Sequence, residues 1–329
     1  MNSALELKKE LESTFTDLTY PLGKVDDELT ELHRTGYKRG YHCGFSNFYD
    51  HYSIVPGKLS YIVGSPTHGK SYFWFECLIN LSQFFNLRHL IFSPEMGKPH
   101  EIYADLIAMY LGQKFTTLNN DQLDEGKEFV NKHFIVIDPR DKRFSIQDFF
   151  DQADNQQQKQ GLKIDTLTGD PFNEFEHDMR DDYNRQDLYI ERILGFVRRK
   201  ADAIGIHTCL ITHPRDQQKE KKDDIWYYPA PTAREYAGGQ AWFRKGLGMI
   251  GLWRPDPRLT DDNGIQYEAN EVHVIIQKAK PRGIGKAGTI KLYFDTERWR
   301  YYEQSPFTGK QYARNILGES QFNFEKAPF

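Results

Sequence analysis

The chain has 329 residues and a formal net charge of −4, which excludes a basic nucleic-acid coat and confines any DNA or RNA contact to a local patch. Its three cysteines, Cys43, Cys77 and Cys209, are too far apart for a disulfide framework or a metal knuckle. No apolar stretch approaches a membrane span or a secretory leader, so the expectation is a soluble, cytoplasmic protein with no membrane partner, long enough for one large α/β domain with an appendage or for two small domains.

Residues 1–39 stand apart. Ala4–Ser13 and Val25–His33 are charged, weakly amphipathic helical stretches separated by the breaker Tyr20-Pro21-Leu22-Gly23. Neither can bury a core alone, so this N-terminal helical arm must pack on something else. A compact domain is expected over residues 40–302, followed by a tail, 303–329.

From Gly40 onward strands and helices alternate, which predicts an α/β fold with a mainly parallel central sheet flanked by helices. Strands are expected at Leu59–Gly64, Arg88–Ser93, Phe134–Asp138, Leu162–Gly169, Thr208–Thr212, Gly248–Trp253, Glu271–Lys278 and Thr289–Phe294. Helices are expected at Tyr72–Phe85, Glu101–Leu111, Leu123–Asn131, Ile146–Gln160 and Gln186–Ile204. Phe172–Arg185 and Arg215–Gly239 are too polar for a core; long irregular loops of that kind in a tight domain are more often functional than accidental.

One motif dominates. Gly64, Ser65, Pro66, Thr67, His68, Gly69, Lys70 and Ser71 fit the phosphate-loop pattern G-x-x-x-x-G-K-[ST] without a mismatch. A buried strand precedes it and an apolar helix follows, so backbone N–H groups and the positive end of the helix dipole converge on one point. Lys70 would sit on the β/γ-phosphates of ATP or dTTP, and the Ser71 hydroxyl on Mg²⁺.

Hydrolysis needs more: a carboxylate for the metal, a base for water, a γ-phosphate sensor and positive charge for the transition state. Glu95 follows the second strand, expected beside the phosphate-loop strand, where it could polarise the attacking water. His213 follows Cys209-Leu210-Ile211-Thr212 at another strand end and could hydrogen-bond the γ-phosphate. Three carboxylates compete for the metal: Asp138, which ends the cleanest hydrophobic run, Asp165 and Asp170.

Together these segments resemble the RecA-fold replicative ring helicases, the DnaB-like family and more closely its Twinkle-like and phage members. The resemblance runs over roughly residues 40–295. It rests on Gly40-Tyr41-His42-Cys43-Gly44-Phe45, the phosphate loop, Ser93-Pro94-Glu95-Met96, Asp170-Pro171-Phe172-Asn173, Thr212-His213-Pro214-Arg215 and Lys280-Pro281-Arg282, in family order. It implies that Glu95 is the hydrolytic base, Asp170 the Mg²⁺ carboxylate and His213 the sensor. Lys280 and Arg282 would reach the neighbour's γ-phosphate, with Arg282 the arginine finger.

The same resemblance implies a homo-oligomeric ring, a hexamer, around single-stranded DNA, with two channel-facing loops at Asp178–Arg185 and Lys219–Gln240. Arg180, Arg185, Lys219, Lys221, Lys222, Arg234, Arg244 and Lys245 would bind DNA there or just beyond. The arm takes the place of the relatives' linker helix that docks on the adjacent subunit. No zinc-ribbon cysteines or acidic primase core can be read, so a primase or polymerase partner would be a separate protein.

The sequence departs from the family pattern at Leu247, where an aspartate is usual, and at Gly169, which keeps Asp165 in play; Lys278 could shift the Lys-x-Arg register by two. A filament-forming RecA/RadA-type ATPase and a regulatory or loader ATPase share the phosphate loop and stand as alternatives.

Overall fold

Leu59-Ser60-Tyr61-Ile62-Val63, every residue of it buried, is the central strand of a ten-stranded sheet. The computed structural model describes residues 19–37, 39–214, 218–232, 236, 240–307 and 309–313. The chain divides after residue 38 into two compact units. In the first, helix α1 (Asp26–Thr35) opens on Asp26, Asp27 and Glu28 and closes on His33 and Arg34, charges that suit its dipole. Ala4–Ser13 lies outside the described residues.

The second unit carries strands β1 (Leu59–Val63), β2 (His89–Phe92), β3 (Phe134–Val136), β4 (Thr166–Gly169), β5 (His207–Thr212), β6 (Glu220–Lys222), β7 (Ile225–Tyr227), β8 (Gly248–Trp253), β9 (Glu271–Ala279), β10 (Gly288–Asp295), β11 (Arg300–Ser305) and β12 (Gly309–Tyr312). Its helices are α2 (Ser46–His51), α3 (Lys70–Phe85), α4 (Pro99–Leu111), α5 (Asn120–His133), α6 (Ile146–Gln160), α7 (Gln186–Ile204) and α8 (Gln240–Lys245).

The sheet order is β12-β11-β10-β9-β8-β1-β5-β4-β2-β3. From β8 to β3 all pairs are parallel; β8 to β12 form an antiparallel flank. The mainly parallel α/β sheet read from the alternating pattern is therefore present. Two cores lie on its faces, and β1 divides between them with the strand period of two: Ile62 joins one cluster, Leu59, Tyr61 and Val63 the other. α3 and α4 supply the first core, α6 and α7 the second.

Three expectations need correction. The strand expected at Leu162–Gly169 forms only from Thr166, because the Asp165 carboxylate turns back to accept from the Arg88 backbone N–H at 2.9 Å and to pair with Lys163 at 2.7 Å. The irregular loop expected at Arg215–Gly239 contains the β6–β7 hairpin; Asp223 and Asp224 take φ of 51° and 64° at its turn, the left-handed pair that a tight two-residue hairpin requires. The boundary expected at residue 302 falls inside β11. Tyr301 and Tyr302 are buried and β12 pairs with β11, so the sheet runs to Tyr312. Residues 314–329 of the expected tail lie outside the described residues.

Candidate functional site

Between β1 and α3 the backbone makes a turn that few residues can follow. Gly69 has φ 85°, and a Cβ there would lie 2.4 Å from Tyr301 Oη. A Cβ on Gly64 would lie 2.5 Å from the Leu252 carbonyl oxygen of β8. Both glycines are thus demanded by close approach, and Gly69 also by its left-handed backbone. The Gly69 carbonyl accepts from Phe73 N–H at 2.9 Å, the first turn of α3, and from the Tyr301 hydroxyl at 3.0 Å. His68, beside it, is pushed down to about 4 by burial and then by Lys70, so its ring is neutral at physiological pH. Its Nδ1 accepts from the Arg254 backbone N–H at 3.3 Å.

Lys70 begins α3 and is buried. Its ammonium donates to the Ser65 carbonyl at 3.1 Å and lies 3.2 Å from His213 Nδ1. The opposite ring nitrogen, Nε2, is 3.3 Å from Glu95 Oε2. A charged Lys70 requires Nδ1 to accept, which leaves the proton on Nε2 to be donated to Glu95. Burial draws Lys70 down to about 8 against the opposing pull of Asp170 and Glu95.

Asp170 stands at the C-terminal end of β4. Its backbone N–H donates to Phe92 O at 2.9 Å, and its carboxylate accepts from Ser93 Oγ at 3.0 Å and from the Ser71 hydroxyl. Burial pushes the carboxyl up, while Ser71, Ser93 and Lys70 hold it down. Trp74 Nε1 donates to Thr168 Oγ1 at 2.8 Å and ties α3 to the same strand. Gly169, the departure before Asp170, has a packing cause: a Cβ there would come within 2.7 Å of the Phe175 ring.

The structure thus gathers Lys70, Ser71, Glu95, Asp170 and His213 at one edge of the sheet. It does not gather the other candidates. Asp165 lies at the opposite end of β4 from Asp170, and Asp138 follows the edge strand β3. The strand before Glu95 is not beside the phosphate-loop strand as expected: β5 and β4 stand between β1 and β2. Glu95 arrives by way of the turn Pro94–Met96 and the bridging His213.

Lys280 and Arg282 lie on the β9–β10 connection, and both are exposed. β9 ends where β8 begins, Ala279 opposite Gly248, and Gly248 pairs with Ser60 at the start of β1. The phosphate loop leaves the other end of β1, about 10 Å further along at the strand rise. These two residues are therefore remote from the chain's own Lys70.

The basic residues expected to bind DNA are spread over three segments, and every described one has a local partner. Arg180 pairs with Asp178 and Arg185 with Asp187. Lys221 pairs with Asp224, and Lys222 donates to the Thr260 carbonyl at 3.1 Å. Lys219 sits 5.0 Å above the Tyr228 ring. Arg244 and Lys245 lie 3.9 and 3.6 Å from the Glu191 carboxylate of α7. Arg234 and Arg215 lie outside the described residues. Sequence reasoning missed Tyr301 and Ser93 as partners of the site. Ser93 sat inside a quoted motif, whereas Tyr301 had no local signal.

No family model matches the chain. Its fold is similar to the ATPase domain of G40P, with a TM-score of 0.66 and 16% identity over 85% of this chain and 98% of that one. A DnaB-like replicative helicase, studied with its interactions with primase, gives a TM-score of 0.67 and 18% identity over 91% of this chain and 70% of that one. In sequence the chain is 24% identical over 283 residues to the Twinkle homolog protein, chloroplastic/mitochondrial, of Arabidopsis thaliana. The chain has the RecA-like α/β fold of these ATPase domains. The sequence match takes in 83% of this chain but spans only 38% of the Twinkle homolog. Among its described residues no helix of this RecA-fold chain is long and apolar enough to cross a membrane.

Proposed function

We propose that this RecA-fold chain is an NTP-dependent DNA helicase that assembles as a ring, a hexamer, and moves along single-stranded DNA. The observation that carries the reading is the chain of contacts Lys70–His213–Glu95 beside the Ser71–Asp170 pair. It joins a phosphate cradle to a candidate base through one imidazole.

The parts divide the work. The phosphate loop holds ATP or dTTP, its N–H groups and Lys70 facing the phosphates. A phosphate that draws Lys70 away from His213 frees Nδ1, so the imidazole reports the nucleotide state to Glu95 and to the segment after β5. Glu95 orients and deprotonates the attacking water. Ser71 and Asp170 suit Mg²⁺: two protein oxygens, one from a buried carboxylate, match a hard cation that completes its shell with phosphate and water. When bound, the ion would neutralise charge on the transferred phosphoryl group. Lys280 and Arg282 act on the neighbouring subunit's nucleotide, a role supported by their distance from Lys70 of their own chain. Arg180, Arg185, Lys219, Lys221, Lys222, Arg234, Arg244 and Lys245 are assigned to the strand-facing side, and the N-terminal arm to subunit packing. The protein works in the cytoplasm, and a primase or polymerase is a candidate partner.

The test is ATP hydrolysis with and without single-stranded DNA, on wild type and Lys70→Ala, alongside particle mass. DNA-stimulated turnover by a ring-sized oligomer, lost in the variant, is the expected result. Unstimulated turnover by a monomer would overturn the helicase reading.

A further inference from the structure

A side chain that acts outside its own subunit has to be aimed by its own backbone. Lys280 and Arg282 are exposed, so what holds the segment that carries them decides where they point. On one side the Lys280 N–H donates to the Leu247 carbonyl at 2.9 Å. On the other side the chain dives into the first core at Ile284, only two residues beyond Arg282 and 3% exposed.

The hold at Ile284 is polar as well as apolar. Ser53, which follows α2, is fully buried, and its hydroxyl donates to the Ile284 carbonyl at 2.9 Å. The same oxygen accepts from the Gly40 N–H at 2.9 Å. A serine hydroxyl has one proton to give, and with Gly40 donating to its oxygen that proton is committed to Ile284. Buried backbone groups require such partners, so removing the hydroxyl orphans two at once, one of them in the connection that bears Arg282. His51, the last residue of α2, adds a second grip. Its carbonyl accepts from the Lys286 N–H at 3.0 Å, and its Nδ1 donates to the Lys286 carbonyl at 3.2 Å. The fit is tight enough that a Cβ on Gly285 would lie 1.9 Å from the His51 carbonyl oxygen.

We infer that Ser53 is a positioning residue for Lys280 and Arg282: its hydroxyl fixes the β9–β10 connection at Ile284 and so sets the angle at which the pair leaves its own subunit. Ser53 touches no nucleotide; it acts only through the pair. The inference rests on the proposed function, in which that pair serves the neighbouring subunit's nucleotide.

The test is ATP turnover and ATP affinity of the full chain, at concentrations where each variant has the particle mass of wild type. Ser53→Ala should lower turnover about 10- to 100-fold, the loss expected when a transition-state group is misplaced by about 1 Å. ATP affinity should stay unchanged, because Lys70 and Ser71 keep their places. The decisive comparison repeats Ser53→Ala in a Lys280→Ala/Arg282→Ala background. There it should make no further difference, since nothing is left to position, whereas damage of a general structural kind would lower turnover by the same factor in both backgrounds. Equal factors, or normal turnover in Ser53→Ala alone, overturn the positioning role and leave the helicase reading standing. Normal turnover in Lys280→Ala/Arg282→Ala overturns the trans-acting pair and this inference with it. Should Ser53→Ala fail to fold, His51→Ala, which removes one ring and spares the buried hydroxyl, makes the same comparison with a smaller loss.

Discussion

Replacing Gly69 by alanine tests whether the phosphate loop is shaped by a strand more than two hundred residues away. Two costs are separable. The backbone at φ 85° penalises any Cβ by about 1–2 kcal/mol. The added methyl would also meet Tyr301 Oη at 2.4 Å, and Tyr301 is buried to 1% exposure, with no room to swing aside. Overpacking of that kind costs about 1–3 kcal/mol more. Tyr301→Phe alone should be milder. The Gly69 carbonyl keeps its bond from Phe73 N–H, so no acceptor is orphaned and the loss is about 1 kcal/mol.

The double variant decides the matter. Without the hydroxyl, the nearest remaining ring atom to the new Cβ is Tyr301 Cζ at 3.8 Å, an ordinary contact. Gly69→Ala/Tyr301→Phe should therefore cost less than the two single variants added together, by roughly the overpacking penalty of 1–3 kcal/mol. Urea unfolding of the four proteins gives this coupling, and nucleotide affinity should follow the same order. Strict additivity would show that the hydroxyl does not limit the loop and would refute the reasoning.

Glu95→Gln keeps an acceptor for His213 but removes the base; turnover should fall by about 10²–10⁴ with nucleotide affinity retained, and an active variant would remove Glu95 from the chemistry. Arg282→Ala should leave nucleotide affinity unchanged and cut turnover by about 10³–10⁵; normal hydrolysis would show that the site does not use it. Lys70, drawn down to about 8 by burial, is charged below that pH and increasingly neutral above it, so binding at higher pH must take up a proton. Affinity should be flat below pH 7 and weaken by up to about tenfold per unit above pH 8; a titration flat to pH 9.5 would contradict the assignment.

The motif core was legible because its signals are local. A buried run, a glycine-rich turn and an apolar helix follow one another without help from elsewhere, and β1 and α3 form there. Spatial neighbours were not legible: β2 follows β1 in sequence, yet two strands with later sequence positions slot between them. Strand β11 was missed because Arg300-Tyr301-Tyr302-Glu303 mixes charge with aromatics. Arg300 is buried through its bidentate pairing with Glu76 of α3, at 2.6 and 2.9 Å, with Asn80 Oδ1 also accepting from it at 3.3 Å, and Glu303 through accepting from Ser46 and Asn47 at the start of α2. The hairpin was missed because its turn is Asp-Asp inside a mixed-charge run rather than Asn-Gly. The basic residues could be counted but not their partners: whether Lys245 faces a ligand or Glu191 is decided by where α7 and α8 meet.

Arg300 and Tyr301 are neighbours on one strand, and between them they grip the middle and the start of α3. The antiparallel flank and the phosphate loop are consequently one mechanical piece. Stiffness gained at the loop when a phosphate settles there has a covalently short, hydrogen-bonded route into β11 and on to its partner β12. Amide protons from Arg300 to Tyr312 should then exchange more slowly in the nucleotide complex. The rim of the sheet would register occupancy at its centre.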